Sequence, residues 1–349
     1  MDTNRSTRIV ANWIFLGVAM LIVQVLLGGI TRLTGSGLSI TEWKPIMGAL
    51  PPLNETEWQQ AFQQYQKIAQ FKYINSHFTL PDFKFIFFWE WFHRLWARLI
   101  SVIFLIPFIY FISKKYFQQW MIKPLIILFL MGAMQGAIGW IMVKSGLNDE
   151  NVYVNHIRLA IHFIAAMILI CYALVFGLMI TVHQEQRIVN PSLKKFTIFI
   201  IVLLIIQLLY GAFMAGLKAA KAAPTWPDIN GNFFPSINDG SLTDTLFFNP
   251  IAIHFIHRCL AYVLLILVMV WWQKARKINI PSYFIKSRNW PVLLILVQVI
   301  LGIAAVVNST KILIGHFGIF EWFAQLHQLI GMILLLSLVT NLYLIRSKK

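Results

Sequence analysis

Eight apolar runs, each long enough to cross a bilayer, constrain this chain more than anything else in it. A helix needs roughly 20 residues to traverse about 30 Å of hydrocarbon. Such stretches lie near residues 9–30, 85–112, 124–143, 157–180, 196–217, 251–272, 291–307 and 319–344. Lipid offers backbone amides and carbonyls no water to bond, so segments of this length must be helical. The expected fold class is all-α, a polytopic membrane protein with eight transmembrane helices. Composition agrees, since 58% of the 349 residues are hydrophobic and only 12% are charged, more apolar than a soluble core of this length requires.

A net charge of +16 would suggest a polyanionic partner if the charge were evenly spread. It is not. With the N-terminus inside, residues 1–8, 113–123, 183–195, 273–290 and 345–349 become cytoplasmic, and they hold 16 of the 29 Lys and Arg against Asp2 and Glu185 alone. The outer connections are close to balanced. This asymmetry is the positive-inside pattern, which sets orientation and calls for no nucleic acid. Both termini are therefore expected in the cytoplasm. The first apolar run is too long for a signal-peptide core and lacks a small-residue cleavage site, which makes it an uncleaved first span, most simply in a bacterial cell inner membrane. Cys171 and Cys259 both fall inside spans, so neither an outer-loop disulfide nor a thiolate cluster is expected.

The spans carry an internal repeat. Helices one, three, five and seven each contain Gln-x-x-x-Gly, at Gln24/Gly28, Gln135/Gly139, Gln207/Gly211 and Gln298/Gly302. Residues four apart share one helical face, so each odd helix presents a polar group above a notch that admits a helix or a flat ligand. A packing face of small residues glued by Gln is the alternative. The even helices each carry one His near their outer ends, His93, His162, His257 and His327, about 8 to 12 Å deep at 1.5 Å per residue. The repeat divides the chain into an N-terminal four-helix bundle, residues 1–190, and a C-terminal one, residues 191–349, related by pseudo-symmetry.

Ionisable groups in hydrocarbon need partners and mark function. Two histidines per bundle are too few for a tetrahedral zinc or copper site, but two imidazoles from facing helices suit the axial positions of a heme iron. Propionates would want cations, and Arg94, Arg98, Arg158 and Arg258 lie at the outer ends of the same helices. Arg matches a carboxylate with two parallel hydrogen bonds; snorkelling to the interface is the alternative reading. Around the histidines of helices two and six the bundles differ at one ionisable position. Glu90-Trp-Phe-His93-Arg94 aligns with His254-Phe-Ile-His257-Arg258, placing a carboxylate one turn from the ligand in one bundle and His254 there in the other. This implies one catalytic and one supporting site, with an ion pair from Glu90 to Arg94 or Arg98 as the structural alternative. His77, His156 and His316 are expected to be solvated in outer loops, His183 in an inner one, and Glu321 to lie at the interface.

The segment GGITRLTGSGLSITEWKPIMGALPPLNETEW (28–58), with FFWEWFHRLWAR (87–98), RLAIHF (158–163), the HR pair of helix six and QLHQ of helix eight, resembles the heme A synthase family over about residues 9–340. The resemblance implies oxidation of a ring methyl of heme O to the formyl group of heme A, for terminal oxidase assembly. It implies His93 and His162 as ligands of the substrate heme, His257 and His327 as ligands of a bound heme b, and Glu90 as the catalytic carboxylate. Arg94, Arg98, Arg158, Arg258 and His254 stay as candidates for propionate or supporting contacts. The chain lacks the outer-loop cysteine pair of some members and looks like the cysteine-free branch. Candidate partners are the heme O synthase, oxidase assembly factors, membrane lipid and a second copy of the chain. A di-heme cytochrome b and a heme carrier remain open as alternatives; prenyl transfer is excluded because no span contains Asp.

Overall fold

The computed structural model describes residues 3–42, 47–237, 240–279, 283–311 and 317–346. Eight long apolar helices span it: α1 (Thr3–Leu33), α2 (Leu80–Ser113), α3 (Gln119–Lys144), α4 (His156–Thr181), α5 (Pro191–Gly216), α6 (Pro250–Ala275), α7 (Trp290–Val307) and α8 (Ile319–Leu344). All-α membrane architecture is what the hydropathy predicts. Several helices extend beyond their apolar runs because polar residues cap them. α2 starts at Leu80, where Thr79 and Asp82 form a reciprocal capping box, and Asn155, Asn190 and Asn249 cap α4, α5 and α6 through their side-chain oxygens. Each satisfies amides that the first turn leaves without an intrahelical partner.

The largest apolar cluster draws on all eight helices, from Val10 and Ile14 of α1 to Leu335 and Leu338 of α8. α4, α5 and α8 lie at its centre, in contact with one another, and α1 packs on α2, α4 and α8. Lipid is as apolar as Leu, so close packing and interhelical hydrogen bonds replace the hydrophobic drive that holds a soluble core. Trp13 Nε1 donates to the Ile103 carbonyl (2.8 Å) and Trp96 Nε1 to that of Met20 (2.9 Å), joining α1 to α2. Trp271 Nε1 bonds Thr197 Oγ1 (2.8 Å), joining α5 to α6.

A short parallel pair, β1 (Ile188–Val189) with β2 (Ile345–Arg346), ties the α4–α5 connection to the chain just beyond α8. The opposite end carries the longer connections. The first of these folds its own apolar cluster around Tyr65, Phe62 and Phe83 against the start of α2.

Two expectations are corrected here. His156 is not solvated: it opens α4, is buried, and bonds the Phe247 carbonyl through Nε2 (2.8 Å) because the α5–α6 connection folds back over it. Glu321 is likewise buried, its Oε2 accepting from the Gly318 amide (3.0 Å) in the first turn of α8. His77 and His183 are exposed as expected, and His316 lies outside the described residues.

Candidate functional site

The Gln-x-x-x-Gly faces and the four histidines meet pairwise, each odd helix with the even helix that follows it. A Cβ on Gly28 would lie 3.3 Å from His93 Nε2, one on Gly139 2.8 Å from His162 Cε1, one on Gly211 3.2 Å from His257 Cε1, and one on Gly302 2.8 Å from His327 Cε1. The notch thus receives an imidazole, and a side chain at Gly139 or Gly302 would have to displace it, while one at Gly28 or Gly211 would crowd it by a few tenths of an ångström. The glutamine one turn earlier secures the same residue. Gln24 Nε2 donates to the His93 carbonyl (3.3 Å), Gln135 Nε2 to that of His162 (3.1 Å), and the Gln207 and Gln298 amides each lie 3.3 Å from Nε2 of His257 and His327.

All four histidines line one cavity of about 1530 Å³ that runs through both sets of helices. A pocket for one drug-sized molecule occupies about 300 to 1,000 Å³, so this volume suits more than one flat macrocycle. The His257 and His327 ring centres are 6.3 Å apart; two imidazoles sharing one metal ion at about 2 Å per bond would place theirs roughly 6 Å apart. His327 Nδ1 lies 3.0 Å from the Gln298 carbonyl. A carbonyl only accepts, so Nδ1 carries the proton and Nε2 keeps a lone pair, the usual arrangement of a metal-binding histidine. The Oε1 atoms of Gln24, Gln135, Gln207 and Gln298 are all buried without a hydrogen-bond partner, one orphaned acceptor beside each histidine. Among the described residues no three His, Cys, Asp or Glu converge as metal ligands. His257 and His327 thus offer a donor set of two imidazoles, which fits heme ligation, and His93 and His162 line the same cavity on equivalent notches.

Glu90 is 2% exposed, yet it lines the cavity. Its Oε2 accepts from Ser39 Oγ (2.7 Å) and the Ile40 amide (2.8 Å), and its Oε1 from Arg94 Nη2. Arg94 also donates to the carbonyls of Ile40 (3.1 Å) and Glu42 (3.3 Å), clamping the chain beyond α1 onto α2. α6 repeats the device with a different acceptor. Arg258 Nε donates to His254 Nε2 (3.0 Å), and its two Nη atoms bond the carbonyls of Asp228 and Thr225 (2.7 Å each). Arg98 faces the same cavity, whereas Arg158 is exposed on α4, bonds the Ile141 carbonyl (3.1 Å) and is absent from the lining.

The matching family model, COX15-CtaA, described as cytochrome oxidase assembly protein, covers residues 11–339. This chain belongs to that family. Among its relatives are proteins named heme A synthase from Flavobacterium johnsoniae, 35% identical over 95% of this chain and 96% of theirs, and from Pelagibacter ubique, 37% identical over 93% of each. A third, from Bartonella quintana, is 38% identical over 87% of this chain and 85% of its own. The COX15-CtaA frame therefore spans both pairs of histidines.

Three cations of the cavity escaped sequence reasoning. Arg32, Lys218 and Lys221 line it, and among the described residues none has a carboxylate at ion-pair distance. Lys218 holds a left-handed backbone (φ 54) and sets its Nζ 3.6 Å from the centre of the Tyr153 ring. Burial, then the charge of Arg32, lowers its ammonium to about 8. A signal existed, since Gln24, Gly28 and Arg32 continue one face at steps of four and Lys218 follows Gly211 by two turns. Reading each Gln-Gly pair alone concealed it.

Proposed function

We propose that this chain is a heme A synthase, oxidising a ring methyl of heme O to a formyl group. Two successive two-electron oxidations, each adding a hydroxyl from water, give the hydrate, which loses one water; the four electrons released pass to a one-electron acceptor outside this chain while four protons go to solvent. The observation that carries this reading is the inequality of the two sets of histidines in one cavity. All four imidazoles sit on equivalent notches, but only His93 has a carboxylate one helical turn before it, Glu90, whereas Glu321, the carboxylate on the other side of the lining, stands six residues before His327 and accepts from the Gly318 amide. In it, residues 1–190 bind the substrate heme O between His93 and His162, and residues 191–349 hold a resident heme b between His257 and His327. The resident heme would supply one-electron redox chemistry.

The side chains divide the remaining work. His93 and His162, seated against Gly28 and Gly139, fix the depth of the substrate ring. Glu90, ion-paired to Arg94 through Oε1, sets a negative charge on the cavity wall one turn from His93, where it stabilises positive charge developing at the methyl carbon or takes its proton. Arg32, Lys218 and Lys221 supply cations for propionates, a role that Arg94 and Arg258 fill less readily because backbone carbonyls already occupy their guanidinium groups. The whole would sit in a bacterial inner membrane with both termini cytoplasmic and the histidine end outward.

Extraction of pigment from membranes carrying this chain and supplied with heme O, followed by mass analysis, tests the activity. Heme A is the expected product. Heme O recovered unchanged alongside heme b would favour a carrier, and two permanently bound b-type hemes with no turnover would favour an electron-transfer cytochrome.

A further inference from the structure

The two sets of four helices close differently. In the second, α6 packs on α7 and completes a ring with α5 and α8; in the first, the equivalent helices α2 and α3 form no packed pair. Phe104 of α2 stacks on Phe129 of α3 at 6.1 Å. Between that contact and the level of His93 the seam stands open and is part of the cavity lining, through Ser101 and Val102 of α2 and Gly132 and Gly136 of α3. A Cβ on Gly132 or Gly136 would meet nothing within 4 Å.

Alignment of the repeats on Gln135 and Gln298 shows why the second seam is shut. Gly132 corresponds to Ile295 and Gly136 to Val299, while Ser101, aligned through His93 and His257, corresponds to Leu265. Small residues in one seam are branched apolar ones in the other. Ile295 is 3% exposed, whereas Gly132 and Gly136 are both open. A bundle that only needed to hold a macrocycle would have no reason to leave this gap, since close helix contact is what stabilises a bundle in lipid.

We infer that the α2–α3 seam is the seat of the isoprenoid side chain of heme O and the lateral opening through which that substrate enters from the lipid. This rests on the heme A synthase reading above. Heme b lacks the side chain, and the bundle assigned to heme b lacks the seam. The length fits, for His93 to Phe104 spans about 16 Å at 1.5 Å per residue, close to the length of an extended farnesyl chain. Polarity fits as well: the side chain leaves the ring on the edge away from the propionates, and the seam runs from the histidines away from the end that carries Arg32, Lys218 and Lys221. Lipid solvates an isoprenoid as well as the seam does, so the open seam adds orientation more than affinity, whereas a filled seam leaves the tail no exit and excludes the whole tailed ring by steric clash. It fixes which edge of the ring turns toward Glu90, and such positioning is worth up to about a hundredfold in rate.

The test fills the seam. Gly136→Leu and Gly132→Leu proteins, purified from membranes supplied with heme O, should keep the absorption of the second-bundle heme, which reports folding. They should carry at least tenfold less heme O, and tail-free protoheme should titrate into the first site as it does in the unaltered protein. Gly136→Ala should fall between. Heme O occupancy and conversion equal to the unaltered protein in both Leu variants would overturn the seam assignment. If the unaltered protein binds heme O but forms no heme A, the activity fails while the seam assignment is still decided by occupancy.

Discussion

The first four helices and the last four carry the same Gln-x-x-x-Gly and His features and differ in what they leave unfinished; in the proposed reading they are the first and second bundles. Each seats two imidazoles on glycine notches, and each has an Arg that clamps a connection by bonding its carbonyls. The first directs that Arg to a carboxylate and leaves a seam open to lipid; the second directs it to His254 and closes the seam with Ile295 and Val299. A site that must admit, orient and release a tailed ring needs access and a charge near the reacting carbon. A site that only retains a ring needs closure. In the proposed reading, a duplicated frame becomes catalytic through a few side chains and one splayed helix pair.

The comparison breaks most sharply at Glu90. Glu90→Gln keeps the Ser39 bond and the fold but removes the charge, and heme A formation in cells should drop by about a hundredfold or more, while bound pigment stays. Normal heme A content in that variant would end the assignment of catalysis to this carboxylate. Next in size is the retaining site. His257→Ala or His327→Ala should cost more than about tenfold in resident heme, read as lost b-type absorption, since a missing ligand typically costs at least as much as a missing supporting contact. Full absorption in both variants would move the cofactor elsewhere.

The notches give a graded version of the same test. A Cβ at Gly302 would intrude to 2.8 Å on the His327 ring, and one at Gly211 only to 3.2 Å on His257. Gly302→Ala should therefore displace its imidazole and shift or weaken the b-type spectrum more than Gly211→Ala. In the first bundle Gly139→Ala, at 2.8 Å, should impair heme O occupancy more than Gly28→Ala, at 3.3 Å. Equal effects within each pair would mean that the rings move away without loss.

Much of this was legible in the sequence, and the limits are physical. Hydropathy gave all eight helices because backbone satisfaction in lipid leaves no other option. The repeat pointed to His93, His162, His257 and His327, and the single mismatch to Glu90. What the pattern concealed depends on neighbours distant in the chain. Ser39 and the Ile40 amide reach Glu90 only because the chain turns at Gly35 (φ 69). His156 is covered by Phe247, 91 residues away. Whether Gly132 and Gly136 face a partner or a gap follows from the splay of α2 against α3, which no local pattern encodes.

The smallest expected effect concerns the cations at the mouth of the cavity. Burial and Arg32 lower Lys218 to about 8, so it is charged below that pH and loses its proton as pH rises through it. In the proposed role the charged form attracts a propionate. Heme O affinity should therefore be constant below about pH 7 and weaken by a few fold between pH 7 and 9, as one charge contact is lost. The bound carboxylate favours the charged ammonium and moves this midpoint upward, so the loss should come at higher pH in the complex than in the free protein. Lys218→Met should abolish the pH dependence and bind throughout as the unaltered protein does at pH 9. A pH dependence that survives in Lys218→Met would place the titrating group elsewhere, and the absence of any dependence in the unaltered protein would leave Arg32 and Lys221 to hold the carboxylate without it.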